Sequence, residues 1–529
     1  MARDLSVEPV LDLDEIQGNI IPGFRKDFQL FAFFSIEKAD GARAFIRALG
    51  PQLDSARAVL AAHAEWKALR GALGREPGAA YGRVFLNLAI TGRGLERLGR
   101  GADLAAFADD GLRFGLAARS TLIGDPADRS RSGHRSRWLF GSGEREIDLL
   151  LILASDNAAR LEARFETFAE AGAAQGVALI HVDRGDVAAA PEPHDEQFGF
   201  RDGISQPALR GCRSDDPDRA LEPDTWPQGE AFSAHRAAFA GPGRQLIWPG
   251  QILFGHARQR RDDPLRPDPA DTPTGPAFSR NGSLLVYRRL RQRPDRFEAF
   301  LARAAAEVEA AVPGSSMNRE RIGALLVGRW RSGTPVMRSP AQDIGLSGPA
   351  ANHFRFATAM DVALPGDDAA PSPGDFNGEI CPFAAHIRKV NPRDEPTDLG
   401  GAERTVPKLI VRRGITYRAG SSPAADQGLV FVGYQSSIED QFEFLMRAWV
   451  KDPHRPRGGA GHDPILSLED DGFVRLRLEG RSIDVQFRND WVVPTGGAYL
   501  FAPSISAVRD VLGTAPSFAL GYLGKVIAS

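Results

Sequence analysis

Cysteine is nearly absent: the 529-residue chain has two, Cys212 and Cys381, which excludes a disulfide framework and a multi-cysteine metal cluster. Long apolar runs are missing as well, and nothing approaches the ~20 consecutive apolar residues a membrane-crossing helix needs. Excess charge of either sign is also lacking. The formal net charge is −3 with both signs interspersed, so there is no electrostatic case for nucleic acid or an anionic membrane surface. The opening "MARDLSVEPVLDLDEIQGN" carries no basic segment followed by an apolar stretch and no twin arginine. The expectation is a cytoplasmic protein without a signal peptide. No short repeat or low-complexity array occurs. What is present, 43% hydrophobic and 25% charged residues, is ordinary for a soluble globular protein and sufficient for a large core.

Apolar runs and amphipathic helices alternate in two halves. In the first, "LFAFFSI" (Leu30 to Ile36), "VFLNLAI" and "IDLLLILA" (Ile147 to Ala154) predict buried strands, and "VALIHV" (Val177 to Val182) a fourth. "SARAVLAAHAEWKAL" predicts a helix with Val59, His63, Trp66 and Leu69 at helical spacing, and "DNAARLEARFETFAEA" a helix with Asp156 as N-cap. The second half has the strand "SLLVYRRL", the helix "RFEAFLARAAAEVEAA", "LVFVGY" (Leu429 to Tyr434), the helix "IEDQFEFLMRAWV" and "AYLFAPS". Two α+β units are expected, antiparallel sheets covered by helices, with a ferredoxin-like βαββαβ order as one candidate. The expected division is 1–240 and 241–529. Arg258 to Gly282, rich in Arg, Asp and Pro, is expected to be a surface insertion, and Pro365 to Gly378 a second irregular segment.

Three stretches carry chemistry. In "FGFRDGISQPALRG" (Phe198 to Gly211), Gly199, Gly203 and Pro207 preclude a regular helix around Asp202. On its own, Asp202 is a turn residue capping a neighbouring N–H. "CPFAAHIRKVNPR" holds His386, with Arg388, Lys389 and Arg393 beyond it. A lone histidine beside an apolar run is commonly just packed; the sharper reading is a metal-bound imidazole whose cationic neighbours pair with an anionic cofactor. Haem has that chemistry, with two propionates for arginine forks and an iron that takes one imidazole nitrogen. "LIVRRGITYR" sets Arg412 and Arg413 at the end of a β-type run, where paired arginines commonly face solvent.

Together these stretches resemble the dye-decolourising peroxidases. "GFRDGISQP" is similar to that family's Gly-x-x-Asp-Gly signature, "HIRKVNPR" to its proximal haem-ligand segment and "RRGITYR" to its distal arginine segment. "DLDEIQGNIIPGF", "WPGQILFGH", "NGSLLVYRRLRQ", "LVGRW", "GLVFVGYQSSI", "GHDPIL" and "PTGGAYLFAPSI" extend the resemblance over nearly the whole chain in order, nearest to the longer, fungal-like branch. It implies a duplicated ferredoxin-like fold of the dimeric α+β barrel type. One haem b per chain would be held mainly by the C-terminal half. His386 would be the axial ligand and Asp463 its hydrogen-bond acceptor. Asp202 and Arg412 would stand on the opposite face, walled by Leu429 and Phe431, with Arg388 a candidate propionate partner. Thr416 and Arg418 depart from the family's Pro and Gly, and the added arginine is expected to narrow or recharge the access route.

The activity implied is cleavage of hydrogen peroxide, followed by one-electron oxidation of phenolic, aromatic amine or anthraquinone-type dye substrates. Such cleavage needs a proton moved from one peroxide oxygen to the other. Aspartate titrates at about 3.9 in model peptides, so it serves as a base in acid where histidine is protonated. Arg412 would stabilise negative charge on the departing oxygen. Trp449, Trp491, Tyr417, Tyr434 and Tyr499 are either packed aromatics or electron relays to the surface. Two other functions fit parts of the pattern. A haem storage, delivery or sensing protein needs His386 but not the Asp202–Arg412 pair; an interaction module of the same fold needs no haem. A homo-oligomer stays open.

Overall fold

A computed structural model describes residues 8–74, 78–189, 192, 194–211, 238–360, 363–364, 366–420 and 425–516; Cys212 lies outside them. In the N-terminal half β1 (Phe28–Ile36), β2 (Phe85–Ile90), β3 (Leu149–Ser155) and β4 (Val177–Asp186) alternate with helices α1 (Ala39–Leu49), α2 (Ala56–Leu73), α3 (Asp110–Arg119) and α4 (Ala158–Ala174). The C-terminal half contributes β5 (Ser283–Gln292), α5 (Pro294–Ala311), α6 (Arg319–Val327), α7 (His386–Val390), β6 (Ile415–Ala419), β7 (Asp426–Gln435) and β8 (Val492–Ala502). The helix expected after β7 is a pair of π-helical segments, Ile438–Glu443 and Leu445–Val450.

Strand order is β2-β3-β1-β4 in the first half and β6-β7-β5-β8 in the second, every pairing antiparallel. Each half therefore has the ferredoxin-like order, with its first strand central. β8 joins β2 through Phe501 and Ile90, merging both halves into one nine-stranded sheet that also includes Val411–Arg412. At the far end β6 returns to β4, where Thr416 Oγ1 donates to Asp186 O at 2.9 Å. The sheet thereby curls into a barrel.

Period-two alternation sorts the side chains. Phe31, Phe33, Leu150, Ile152, Leu285, Tyr287, Val430 and Val432 share one core cluster with the N-terminal segment Leu11 to Phe24. Leu30, Ala32, Phe34, Leu149, Leu151, Leu284 and Val286 face the other way, onto α1, α4 and their neighbours.

One local expectation changes. Asn157, not Asp156, caps α4 by accepting from Arg160 N at 3.0 Å; Asp156 is instead paired with buried Lys26. On α2 only Ala56, Val59 and Ala62 are buried, whereas Leu69 is 38% exposed, because the later turns extend past the core. The Arg258–Gly282 segment is held by polar contacts, including Arg258 to Ser436 Oγ and Asp271.

Candidate active site

A cavity of about 730 Å³ opens between the Asp195–Leu209 loop, the Leu409–Thr416 segment, β7, α7 and the π-helical wall. Asp202, Arg412, His386, Leu429 and Phe431 all line it, although they come from remote parts of the chain.

Asp202 is aimed by its loop. Gly199 (φ +83°) and Gly203 (φ +73°) occupy the left-handed region that side chains disfavour. A Cβ on Gly199 would meet the Arg331 guanidinium at 2.7 Å; one on Gly203 would meet no protein atom within 4 Å. Asp202 N donates to His194 O at 3.1 Å, and Asp202 Oδ1 accepts from Gly203 N at 2.6 Å. Arg412 Nη1 lies 4.0 Å from Asp202 Oδ1, and the two side chains are 34% and 37% exposed, open enough to meet a small ligand. Arg412 also grips the loop, its Nη2 donating to Ser205 O at 2.9 Å and its backbone N to Gln206 Oε1 at 3.1 Å.

Leu429 and Phe431 alternate with the core residues Val430 and Val432, so strand geometry puts both on the cavity side of β7. Ile387, Leu445, Met446, Val450, Ile465 and Leu466 add further apolar lining.

His386 begins α7. Its Nδ1 donates to Asp463 Oδ2 at 2.9 Å, leaving Nε2 as the ring nitrogen available to the cavity. Asp463 is fully buried, and its Oδ1 accepts from Ile465 N and Leu466 N at 2.9 and 3.0 Å. Burial acts to raise the Asp463 carboxyl, but the imidazole and these amides outweigh it and hold the group below the usual carboxylate range.

Arg388 does not join this group. It stands two residues from His386 on a helix, so the two side chains point apart. Its buried guanidinium is consumed by Asp375 Oδ2 at 2.7 Å and by both oxygens of Glu395. Two other buried arginines, Arg329 and Arg393, do line the cavity. Burial pushes each down to about 9, and for Arg329 the charges of Arg393 and Arg412 add to the drop. Among the described residues neither has a carboxylate partner. Arg329 Nη1 donates to Gly333 O and Ala351 O, while its buried Nη2 has no hydrogen-bond partner. Arg393 stood in the sequence only as a cationic neighbour of His386, and Arg329 only inside "LVGRW". Their signal, buried guanidinium groups with no carboxylate in ion-pair contact among the described residues, arises on folding; Asp394 acts on Arg393 only through its charge.

Glu196 is a further acid on this wall that the sequence reading passed over. Burial, helped by the Asp202 charge, raises its carboxyl to about 7 against the hydrogen bonds it accepts. The five candidate relay aromatics, Trp449, Trp491, Tyr417, Tyr434 and Tyr499, are all buried.

The residues fit haem. Apolar walls suit a flat macrocycle, one free imidazole nitrogen suits the iron, and buried arginines outside any ion pair among the described residues suit propionates. Among the described residues no group of three or more His, Cys, Asp or Glu could hold a metal ion.

Comparison with known proteins agrees. Residues 15–187 match the model of the DyP dimeric alpha+beta barrel domain, and residues 359–456 that of the Dyp-type peroxidase C-terminal domain. A dye-decolorizing peroxidase of Mycetinis scorodonius is 28% identical over 97% of this chain and 90% of its own. One from Mycena epipterygia is 29% identical over 96% and 88%. The chain belongs to the dye-decolourising peroxidase family. It is a peroxidase of the fungal-like branch, and the family depends on haem. A solved ancestral D-type dye-decolorizing peroxidase superposes with a TM-score of 0.73 at 28% identity, covering 96% of this chain and 100% of that one. No described helix is long and apolar enough to cross a membrane.

Proposed function

We propose that the chain binds one haem b, cleaves hydrogen peroxide and oxidises phenolic, aromatic amine or anthraquinone-type dye substrates in one-electron steps. The observation that carries this reading is the convergence of the Asp202–Arg412 pair and the His386–Asp463 pair on one cavity. Storage or delivery of haem would call for the second pair alone.

When bound, haem would supply the iron that holds peroxide and stores its two oxidising equivalents. His386 Nε2 would hold that iron, with Asp463 fixing the imidazole's tautomer and raising its basicity. Arg329 and Arg393, on the cavity wall, would pair with its propionates. Asp202 Oδ1 is taken by the Gly203 amide, so Oδ2 takes the proton from one peroxide oxygen and returns it to the other, which leaves as water. Arg412 stabilises the negative charge that gathers on the departing oxygen. Leu429 and Phe431 restrict the space beside Asp202, keeping bulky dyes from the reacting oxygen.

Asp202→Asn should retain the haem spectrum and slow the reaction with peroxide by about 10²–10⁴-fold, measured by stopped-flow absorption. A wild-type rate in that variant would refute the proton shuttle. His386→Ala should lose the axial imidazole signature, and unaltered ligation there would exclude His386 as the ligand.

A further inference from the structure

Between His194 and Asp202 the chain reverses on itself, and the reversal is built around one carboxylate. Glu196 Oε2 accepts from Phe198 N at 3.0 Å and Oε1 from Phe200 N at 3.0 Å. Gln292 Nε2, at the end of β5, donates to Oε2 as well. Glu196 N returns a bond to Phe200 O at 2.9 Å, and Gly199 N donates to Glu196 O at 2.8 Å. Outside this knot the rings of Phe198 and Phe200 lodge against Phe297 of α5, the first with centroids 4.4 Å apart. Both ends of the segment are thus tied, one to the carboxylate and the phenyl anchors, the other by Asp202 N to His194 O.

Three donors converge on Glu196, two of them backbone amides. A buried amide without an acceptor costs about 1–3 kcal/mol, so the site needs acceptors on both sides at once. Above its raised pKa of about 7 the ionised carboxylate offers two acceptor oxygens, whereas a glutamine would turn its NH2 toward an N–H. We propose that Glu196 is a positioning residue for peroxide cleavage: its carboxylate is the template on which the Phe198–Asp202 turn folds, and so it aims Asp202 into the cavity. This rests on the reading of Asp202 as the proton carrier.

The test is a double-mutant cycle in the haem-loaded full-length protein, with Glu196→Gln and Asp202→Asn made singly and together. Glu196→Gln should slow the reaction with peroxide by about tenfold or more, because small misplacements of a proton carrier are costly. In the Asp202→Asn background it should change nothing further, since it acts through Asp202. A wild-type rate for Glu196→Gln, or an added tenfold loss in the double variant, would overturn the proposal. Hydrogen exchange on the haem-free protein gives a readout independent of turnover. The Phe198 and Phe200 amides should lose protection in Glu196→Gln while those of β1 and β3 keep theirs; unchanged protection at residues 198 and 200 would also overturn it. Gln292→Leu, which removes one donor and leaves the carboxylate, should slow peroxide cleavage only when Asp202 is present; an equal effect without Asp202 counts against the template. Should Asp202→Asn react at the wild-type rate, the proton shuttle fails, and the exchange measurement still decides whether Glu196 folds the turn.

Discussion

Asp463 and Arg329 are both buried, one accepting from the His386 imidazole and the other keeping a guanidinium nitrogen without a hydrogen-bond partner among the described residues. Asp463→Asn removes a buried acceptor that orients His386, and changes of this kind lower cofactor affinity or activity by about 10–100-fold; titration of the haem-free protein with hemin measures it. Arg329→Leu should weaken hemin binding by about tenfold, the loss of one charge-assisted contact. Because Arg329 neutralises no carboxylate among the described residues, the haem-free midpoint should fall less than the loaded one. Equal falls would make Arg329 a structural residue only. Asp202, His386 and Arg412 were singled out by the family resemblance, since by themselves they read as a turn residue, a packed histidine and a solvated strand end; the structure brings all three to one cavity. Arg388 misled because linear proximity to His386 ignores helical rotation, and Arg329 stayed hidden because only folding strips it of solvent and counterions.

At the scale of elements, strands were read well because period-two alternation is local: β1, β3, β4, β5 and β7 all fall on the expected apolar runs. The hairpin of Gly472–Leu478 and Arg481–Phe487 was not anticipated, although its alternation is regular. Contacts that join elements were invisible. Asp109 is the clearest: Oδ1 accepts from Leu112 N to cap α3, while Oδ2 accepts from Ser437 Oγ and Ile438 N at the start of the π-helical wall. One carboxyl thus staples a helix of the first half to the cavity wall of the second. Burial raises its pKa to about 6, against the hydrogen bonds it accepts. A folded pKa above the unfolded one stabilises fully below the ordinary carboxylate range and is lost as pH rises through about 6. Wild type should therefore exceed Asp109→Asn in unfolding free energy by more at pH 4 than at pH 7.5, by roughly 2 kcal/mol. Denaturant titrations at the two pH values measure it, and a pH-independent difference would mean the carboxyl is not linked to folding.

For the whole molecule, the two halves have like strand order but share a core. Phe31, Leu150 and Ile152 of the first half share one cluster with Tyr287, Val430 and Val432 of the second. The N-terminal segment reaches furthest across: Gln17 Nε2 donates to Pro503 O, Asn19 Nδ2 to Tyr434 OH and Arg413 to Asn19 O. Sequence could not reveal this, because alternation says which residues are inward and not which strands share an interior. Residues 1–240 expressed alone would expose the inner faces of β1 and β3 to water, where burial contributes about 25 cal/mol per Å² of apolar surface. That fragment should show no cooperative thermal transition, whereas the full chain should melt in one transition that moves upward with added hemin, as expected for a ligand bound only by the folded state. A sharp, reversible melt of the isolated fragment would mean that the first half folds by itself and that the barrel is assembled from two independent domains.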